Sequence, residues 1–267
     1  MNLRRTGTVL DRILDKKTEA VAELKSRRPA QELKRLAKEA PPARNFLAAL
    51  RDCPRVPIIA EIKKASPSAG SIKTGVDVAV WAAEYEAGGA AALSVLTDGP
   101  FFGGDLEDLA QARDAVSLPV LRKDFIIDAA QIHESRAAGA DAILLIAAAL
   151  DPSLLSDLFH EATEAGLTVL VEAHTEEELA EALALNPPLL GINNRDLKTM
   201  TVSLETCLRL RPLVPEGALV AAESGIGGPE DVSRLRQGGL EAFLIGTTLM
   251  KSPDPRATLA RLCTAGD

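Results

Sequence analysis

Eight short runs of Val, Ile, Leu and Ala recur along the chain, namely PIIAEIK, AALSVLT, PVLRKDF, AILLIAA, TVLVEAH, LLGINNR, ALVAAES and AFLIGTT. Their starts, near residues 57, 91, 119, 142, 168, 189, 218 and 242, lie about 21 to 34 residues apart, which is room for a strand, a crossover helix and two loops. Amphipathic stretches fill the intervals. Gly-Ala or Gly-Leu marks the return to a strand in GGAAAL, AGADAI, AGLTV and GGLEAF, where Gly suits the end of a helix. Such repetition predicts a parallel sheet, and eight units favour closure into a single α/β (β/α)8 TIM barrel over an open doubly wound sheet. No GxGxxG follows an early run, which counts against a dinucleotide-binding sheet.

The first part of the chain carries no such run. VLDRILDKKTEAVAELKS, AQELKRLAKEA, a break at Pro41 and Pro42, and then ARNFLAAL read as helices. With no evident linker, residues 1–267 are expected to form one barrel domain, of which 1–50 is an N-terminal helical extension.

Composition narrows the partners. A hydrophobic content of 46% with 25% charged residues suits a soluble globular protein with a substantial core. A formal net charge of −8 disfavours a nonspecific hold on nucleic acid or on an anionic membrane. Cys53, Cys207 and Cys263 are odd in number and widely spaced, so they suggest neither a disulfide framework nor a zinc motif. His133, His160 and His174 form no HExxH-like pair, so they read as structural and no metal is implied. AILLIAAAL, the most apolar segment, is too short to span a bilayer, and no secretory h-region stands at the N-terminus, so the expected location is cytoplasmic.

In a barrel of this kind the active site gathers at the C-terminal ends of the strands. The polar residues there are Glu61 and Lys63 after the first run, Lys123 after the third, Glu172 after the fifth, Asn193 and Arg195 after the sixth, and Glu223 and Ser224 after the seventh. Strand side chains alternate faces, so Lys123, Glu172, Asn193 and Glu223 share parity with Leu121, Leu170, Gly191 and Ala221 and can all face inward. Acids and bases in one pocket suit proton transfer, with burial and mutual repulsion pushing the lysines towards neutrality and the carboxylates pushing them back. ESGIGG and IGTT follow the seventh and eighth runs, where Ser224, Gly225, Gly246 and Thr247 could hold a phosphate on backbone amides. Ser66, Pro67 and Ser68 would cap the other side. Phe101 and Phe102 stand in the loop after the second run, suited to cover a flat ring, whereas Trp81 and Tyr85 read as packing residues.

IAEIKKASPSAG, LSVLTD with FFGG, LRKDFI, QIHESRAAGADAILLI, LVEAHTEEEL, GINNRDL, AESGI and FLIGTTLM occur in an order that closely resembles the indole-3-glycerol phosphate synthase family. The extension resembles that family's extra segment over the substrate mouth. Two departures are Thr247 and Thr248 where GSS is common and Ala69 where a basic residue is frequent. The resemblance implies a lyase of tryptophan synthesis that closes an indole ring on 1-(2-carboxyphenylamino)-1-deoxyribulose 5-phosphate with loss of carbon dioxide and water. By the same resemblance Lys123 is the general acid of condensation, Glu172 the base of dehydration, and Lys63 a substrate contact and candidate acid for loss of hydroxide. Glu61 and Glu223 would orient the lysines and sugar hydroxyls. Asn193, Arg195 and Ser66 would hold the anthranilate side, and Phe102 would pack on its ring. No metal or organic cofactor is implied. The expected partner is a phosphorylated small molecule, with no nucleic acid and no membrane, and the expected state is a monomer, with association with other tryptophan-pathway enzymes left open. The rival readings are a barrel isomerase or Schiff-base aldolase acting on another phosphosugar through Lys123, and a noncatalytic phosphometabolite binder.

Overall fold

Each apolar run becomes a parallel strand in a computed structural model that describes residues 2–67 and 70–265. The strands are β1 (Ile58–Ile62), β2 (Ala92–Leu96), β3 (Val120–Lys123), β4 (Ala142–Ile146), β5 (Thr168–Ala173), β6 (Leu189–Asn193), β7 (Leu219–Glu223) and β8 (Ala242–Ile245). Each pairs with its neighbours in sequence, and β1 pairs with β8 through Ile58 to Phe243, Ile59 to Leu244 and Ala60 to Ile245, so the sheet closes into a barrel. Closure removes the sheet edges, and both faces of every strand are covered. That is why the runs are almost continuously apolar rather than alternating.

The two faces nevertheless differ. Leu121, Leu170 and Ala221 fill the barrel interior, and Ile58, Ala60 and Ile62, of opposite parity to Glu61, belong to the layer under the helices. Asp77, Asp105, Asp128, Asp151 and Thr175 each cap the helix that follows by accepting from its first-turn amides. At the other end, Gly89, Gly139, Gly166 and Gly239 take φ between 80° and 94°, the left-handed turn that the four Gly-containing returns require. Trp81 and Tyr85 pack edge to face with centroids 5.7 Å apart, Tyr85 fully buried.

The extension forms α1 (Val9–Arg27), α2 (Ala30–Glu39) and α3 (Phe46–Arg51). Helix α1 crosses the mouth of the barrel, where Val9, Leu10 and Ile13 form part of the cavity wall. Its Lys17 is buried and reaches Asp98 after β2 at 3.0 Å and Asp124 after β3 at 2.6 Å. Helix α2 packs on the helix Ala129–Ala137, and the guanidinium of Arg136 there donates to the carbonyl of Pro41 in the break between α2 and α3. Among the described residues no helix is long and apolar enough to cross a membrane.

Candidate active site

The strand ends that carry charge meet in one cavity of about 380 Å³ at the C-terminal mouth, a volume suited to a small ligand. Every predicted site residue lines it: Glu61, Lys63, Ser66, Phe102, Lys123, Glu172, Asn193, Arg195, Glu223, Ser224, Gly225, Gly246 and Thr247. Pro67 lines it too, while Ser68 and Ala69 lie outside the described residues.

Lys123 is the centre of the charge cluster. Its Nζ donates to Glu172 Oε2 at 2.9 Å and to Glu223 Oε2 at 2.8 Å, which joins β3, β5 and β7 across the inside of the barrel. Beside it Lys63 Nζ lies 2.7 Å from Glu61 Oε1. Two glycines make the room. A Cβ on Gly191 would stand 2.2 Å from Glu223 Oε1, and one on Gly246 would stand 2.2 Å from Glu61 Oε1 and 3.0 Å from Lys63 Nζ. Only the absence of side chains there lets both carboxylates lie flat against the barrel wall.

The balance that sequence left open resolves towards charge. Burial pulls Lys123 towards its neutral form, but Glu172, Glu223 and Glu61 outweigh it and hold the ammonium above the usual lysine range. Burial likewise pushes Glu172 up, and Lys123 and His174 outweigh it, so this carboxylate stays well below its ordinary value. Glu223 goes the other way. Burial pushes it up to about 8, Lys123 offsets only part of that, and the charge of Glu172 adds to it. One lysine is therefore flanked by a carboxylate that is ionised and one that takes up a proton near neutrality.

The remaining walls are less charged. Asn193 Oδ1 accepts from the amide of Arg195 at 3.0 Å, and the Arg195 guanidinium donates to the carbonyl of Met200 at 3.1 Å, which fixes the loop after β6. Phe101 and Phe102 belong to a four-residue helix, Gly99–Phe102, rather than to an open loop, because Asp98 accepts from the amide of Phe101 and Gly103 ends the turn at φ 66°. Phe102 faces the cavity, its ring centroid 6.0 Å from that of Phe125, while Phe101 does not line it. On the opposite side Ser224 and Gly225 both take left-handed backbone, at φ 65° and 81°, and line the cavity with Gly246 and Thr247.

Three contributions escaped the sequence. Asn194, buried, donates from Nδ2 to the carbonyl of Ser224 at 3.0 Å and accepts from the amide of Cys207 at 3.1 Å, pinning the loop after β7 to the helix after β6. The extension was expected over the mouth, but the Lys17 anchor that holds α1 there forms only when distant segments meet. His174, read as structural, places Nε2 3.3 Å from Glu172 Oε1 and Nδ1 3.0 Å from Glu178 Oε2. A signal for it existed, since strand alternation gives residues 172 and 174 the same parity.

A closed (β/α)8 barrel with buried lysines and carboxylates at its mouth, next to two glycine-containing strand-end loops, defines a barrel enzyme of the acid–base class. The family model for indole-3-glycerol phosphate synthase matches residues 10–262, and the chain belongs to that family. It is 50% identical over 253 residues to the indole-3-glycerol phosphate synthase of Hyphomonas neptunium, covering 94% of this chain and 96% of that protein. The enzymes of that name from Rhodopirellula baltica and Laribacter hongkongensis are each 48% identical, covering 92% and 95% of this chain and 95% and 98% of theirs. Among solved structures, a thiamine phosphate pyrophosphorylase from Pyrococcus furiosus superimposes with a TM-score of 0.57 over 78% of this chain and 93% of that one. At 15% identity it shows the shared fold alone.

Proposed function

We propose that this chain is a carboxy-lyase that converts 1-(2-carboxyphenylamino)-1-deoxy-D-ribulose 5-phosphate to indole-3-glycerol phosphate, carbon dioxide and water, with the chemistry centred on Lys123. The observation that carries this reading is the Lys123 ammonium clamped at 2.9 and 2.8 Å between Glu172 and Glu223 on the inner wall of the mouth. A charged ammonium in that position can give a proton to the substrate ketone while the ring carbon bearing the carboxylate attacks it. The new carbon–carbon bond makes the ketone oxygen a hydroxyl and leaves the ring cationic. Loss of carbon dioxide returns the bonding pair to the ring. Glu172 then takes the proton from the adjacent carbon while Lys63 protonates the departing hydroxyl, and the indole is complete.

The other residues hold the substrate for these steps. Glu61 orients Lys63 and a sugar hydroxyl, and Glu223 orients Lys123. The loop amides at Ser224, Gly225, Gly246 and Thr247 take the phosphate, and Asn193, Arg195 and Ser66 take the anthranilate carboxylate with Phe102 against its ring. The reading needs no cofactor, since the substrate carries both the electron-rich ring and the electrophilic carbonyl. We also propose a cytoplasmic location and a monomeric state for the protein. A Schiff-base aldolase would need a neutral amine, and Lys123 is held as a cation by its carboxylates.

The test is turnover of the named substrate by the wild-type protein, followed by indole fluorescence and by release of carbon dioxide. Both signals should rise together in equal amounts. Binding without an indole signal, or a borohydride-stable adduct on Lys123, would overturn the assignment.

A further inference from the structure

The general base proposed above has a second cation beside it. Glu172 offers Oε2 to Lys123 at 2.9 Å, and its other oxygen, Oε1, lies 3.3 Å from His174 Nε2. That ring nitrogen is buried and has no hydrogen-bond partner among the described residues. The opposite nitrogen, Nδ1, stands 3.0 Å from Glu178 Oε2, and the same oxygen accepts the backbone amide of His174 at 2.7 Å. The imidazole is thus fixed at one edge by a helix-borne carboxylate and pointed at the catalytic carboxylate by the other. The charged groups facing it are Glu172 from β5 and Glu178 from the helix Glu176–Leu183. The neighbours of β5 at this height, Ile146 of β4 and Gly191 and Ile192 of β6, are not titratable. With a carboxylate at each nitrogen, the ring is best satisfied when both nitrogens carry protons, which makes it a cation.

Lys123 cannot serve Glu172 throughout the reaction. Once its proton goes to the ketone, the amine left behind is neutral, and a buried carboxylate without a counter-charge takes up a proton. A protonated Glu172 is no base. We propose that His174 is a positioning residue for Glu172, a buried imidazolium clamped by Glu178 that orients the carboxylate through Oε1 and keeps it ionised while Lys123 is engaged by the substrate. The inference rests on the reading of Glu172 as the base of dehydration. It is consistent with the balance at His174 itself, where burial pulls the ring down but Glu172 and Glu178 outweigh it and bring it up to about 10.

The experiment uses His174→Gln, which keeps an amide donor and removes the charge, together with Glu178→Gln, which loosens the clamp from outside the cavity. Loss of the cation raises the Glu172 carboxylate, so the acid limb of kcat in His174→Gln should move up by about one pH unit, roughly a tenfold loss on that limb, with KM changed by less than about twofold. Glu178→Gln should move the limb the same way by less. Nitrogen-15 NMR of the substrate-free wild type should show both ring nitrogens of His174 protonated at about pH 8. A neutral, single-tautomer ring would overturn the inference. So would a uniform fall in kcat at all pH values with the limb unmoved, which a merely structural role would produce. A wild-type protein that makes no indole would instead defeat the functional reading, and the NMR result would still decide whether the clamp holds a cation.

Discussion

Lys123 concentrates the chemistry of the pocket in one side chain, because it holds the buried carboxylates of Glu172 and Glu223 at once. Lys123→Ala removes a proton donor and leaves Glu223 without its cation and Glu172 with His174 alone. Turnover in the indole assay should fall by about 10²- to 10⁴-fold, the usual contribution of a general acid, while circular dichroism reports an intact barrel. Near-normal indole formation would sink the role. Gly246 gives a steric test of the neighbouring pair. Its φ of −121° is not left-handed, so Gly246→Ala acts chiefly through a Cβ 2.2 Å from Glu61 Oε1. Moving the Glu61 and Lys63 pair by about an ångström should lower kcat/KM by roughly 10²-fold. An alanine variant with unchanged kinetics would mean that the position of this pair does not matter.

At the scale of elements, helix α1 closes the mouth and Lys17 fastens it. The ammonium is buried against Asp98 and Asp124, and Asp124 also holds Arg122 at 3.0 Å, so a single lysine ties the extension to two barrel strands. Breaking a buried pair from one side costs about 3–5 kcal/mol, and because Arg122 still serves Asp124, Lys17→Met should fall at the lower end of that range in urea unfolding. The same variant should raise KM more than it lowers kcat, since Leu10 and Ile13 lose their fixed place in the wall. Unfolding and kinetics both at wild-type values would show that α1 is held by its apolar face alone. The barrel was legible because each unit repeats a local pattern. Apolar runs, helix caps and returning glycines are written within single βα units, and the expected strand starts agree with the observed ones to within a residue. Strand parity likewise placed Lys123, Glu172, Asn193 and Glu223 on one wall. Lys17 with Asp124, and Asn194 with Ser224, were not legible, because each pair joins units through tertiary contact and neither partner differs in sequence from a solvated surface residue. Phe101 and Phe102 looked like a loop because a four-residue helix is too short to show a period.

For the whole molecule, the buried charges predict an unusual slope of stability with pH. Asp124 and Glu172 are held below their ordinary values. For Asp124 burial opposes this, and Arg122 and Lys17 outweigh it. Their contribution is present above the unfolded carboxylate range and is lost as pH falls through their folded values. Glu223 and His174 act in the opposite direction, pushed up to about 8 and about 10. Between the unfolded and folded values of each, the native state binds more protons than the unfolded chain, so stability declines as pH rises, by up to about 1.4 kcal/mol per pH unit for each full proton. For Glu223 that window opens near the ordinary glutamate value and closes at about 8. For His174 it opens near the ordinary imidazole value and closes at about 10. The formal net charge of −8 adds self-repulsion in the same sense. The melting temperature should therefore peak at about pH 5 to 6 and fall steadily towards pH 9, whereas many proteins keep a plateau through neutrality. Glu223→Gln, neutral at every pH, should flatten the decline below about pH 8, and His174→Gln should flatten it above about pH 6.5, so the two variants divide the slope between them. A wild-type melting temperature that stays level or rises between pH 6 and 9 would mean that Glu223 is ionised and His174 neutral in the native state there. Lys123 would then face two full charges, and the proton relay at the mouth would have to be redrawn.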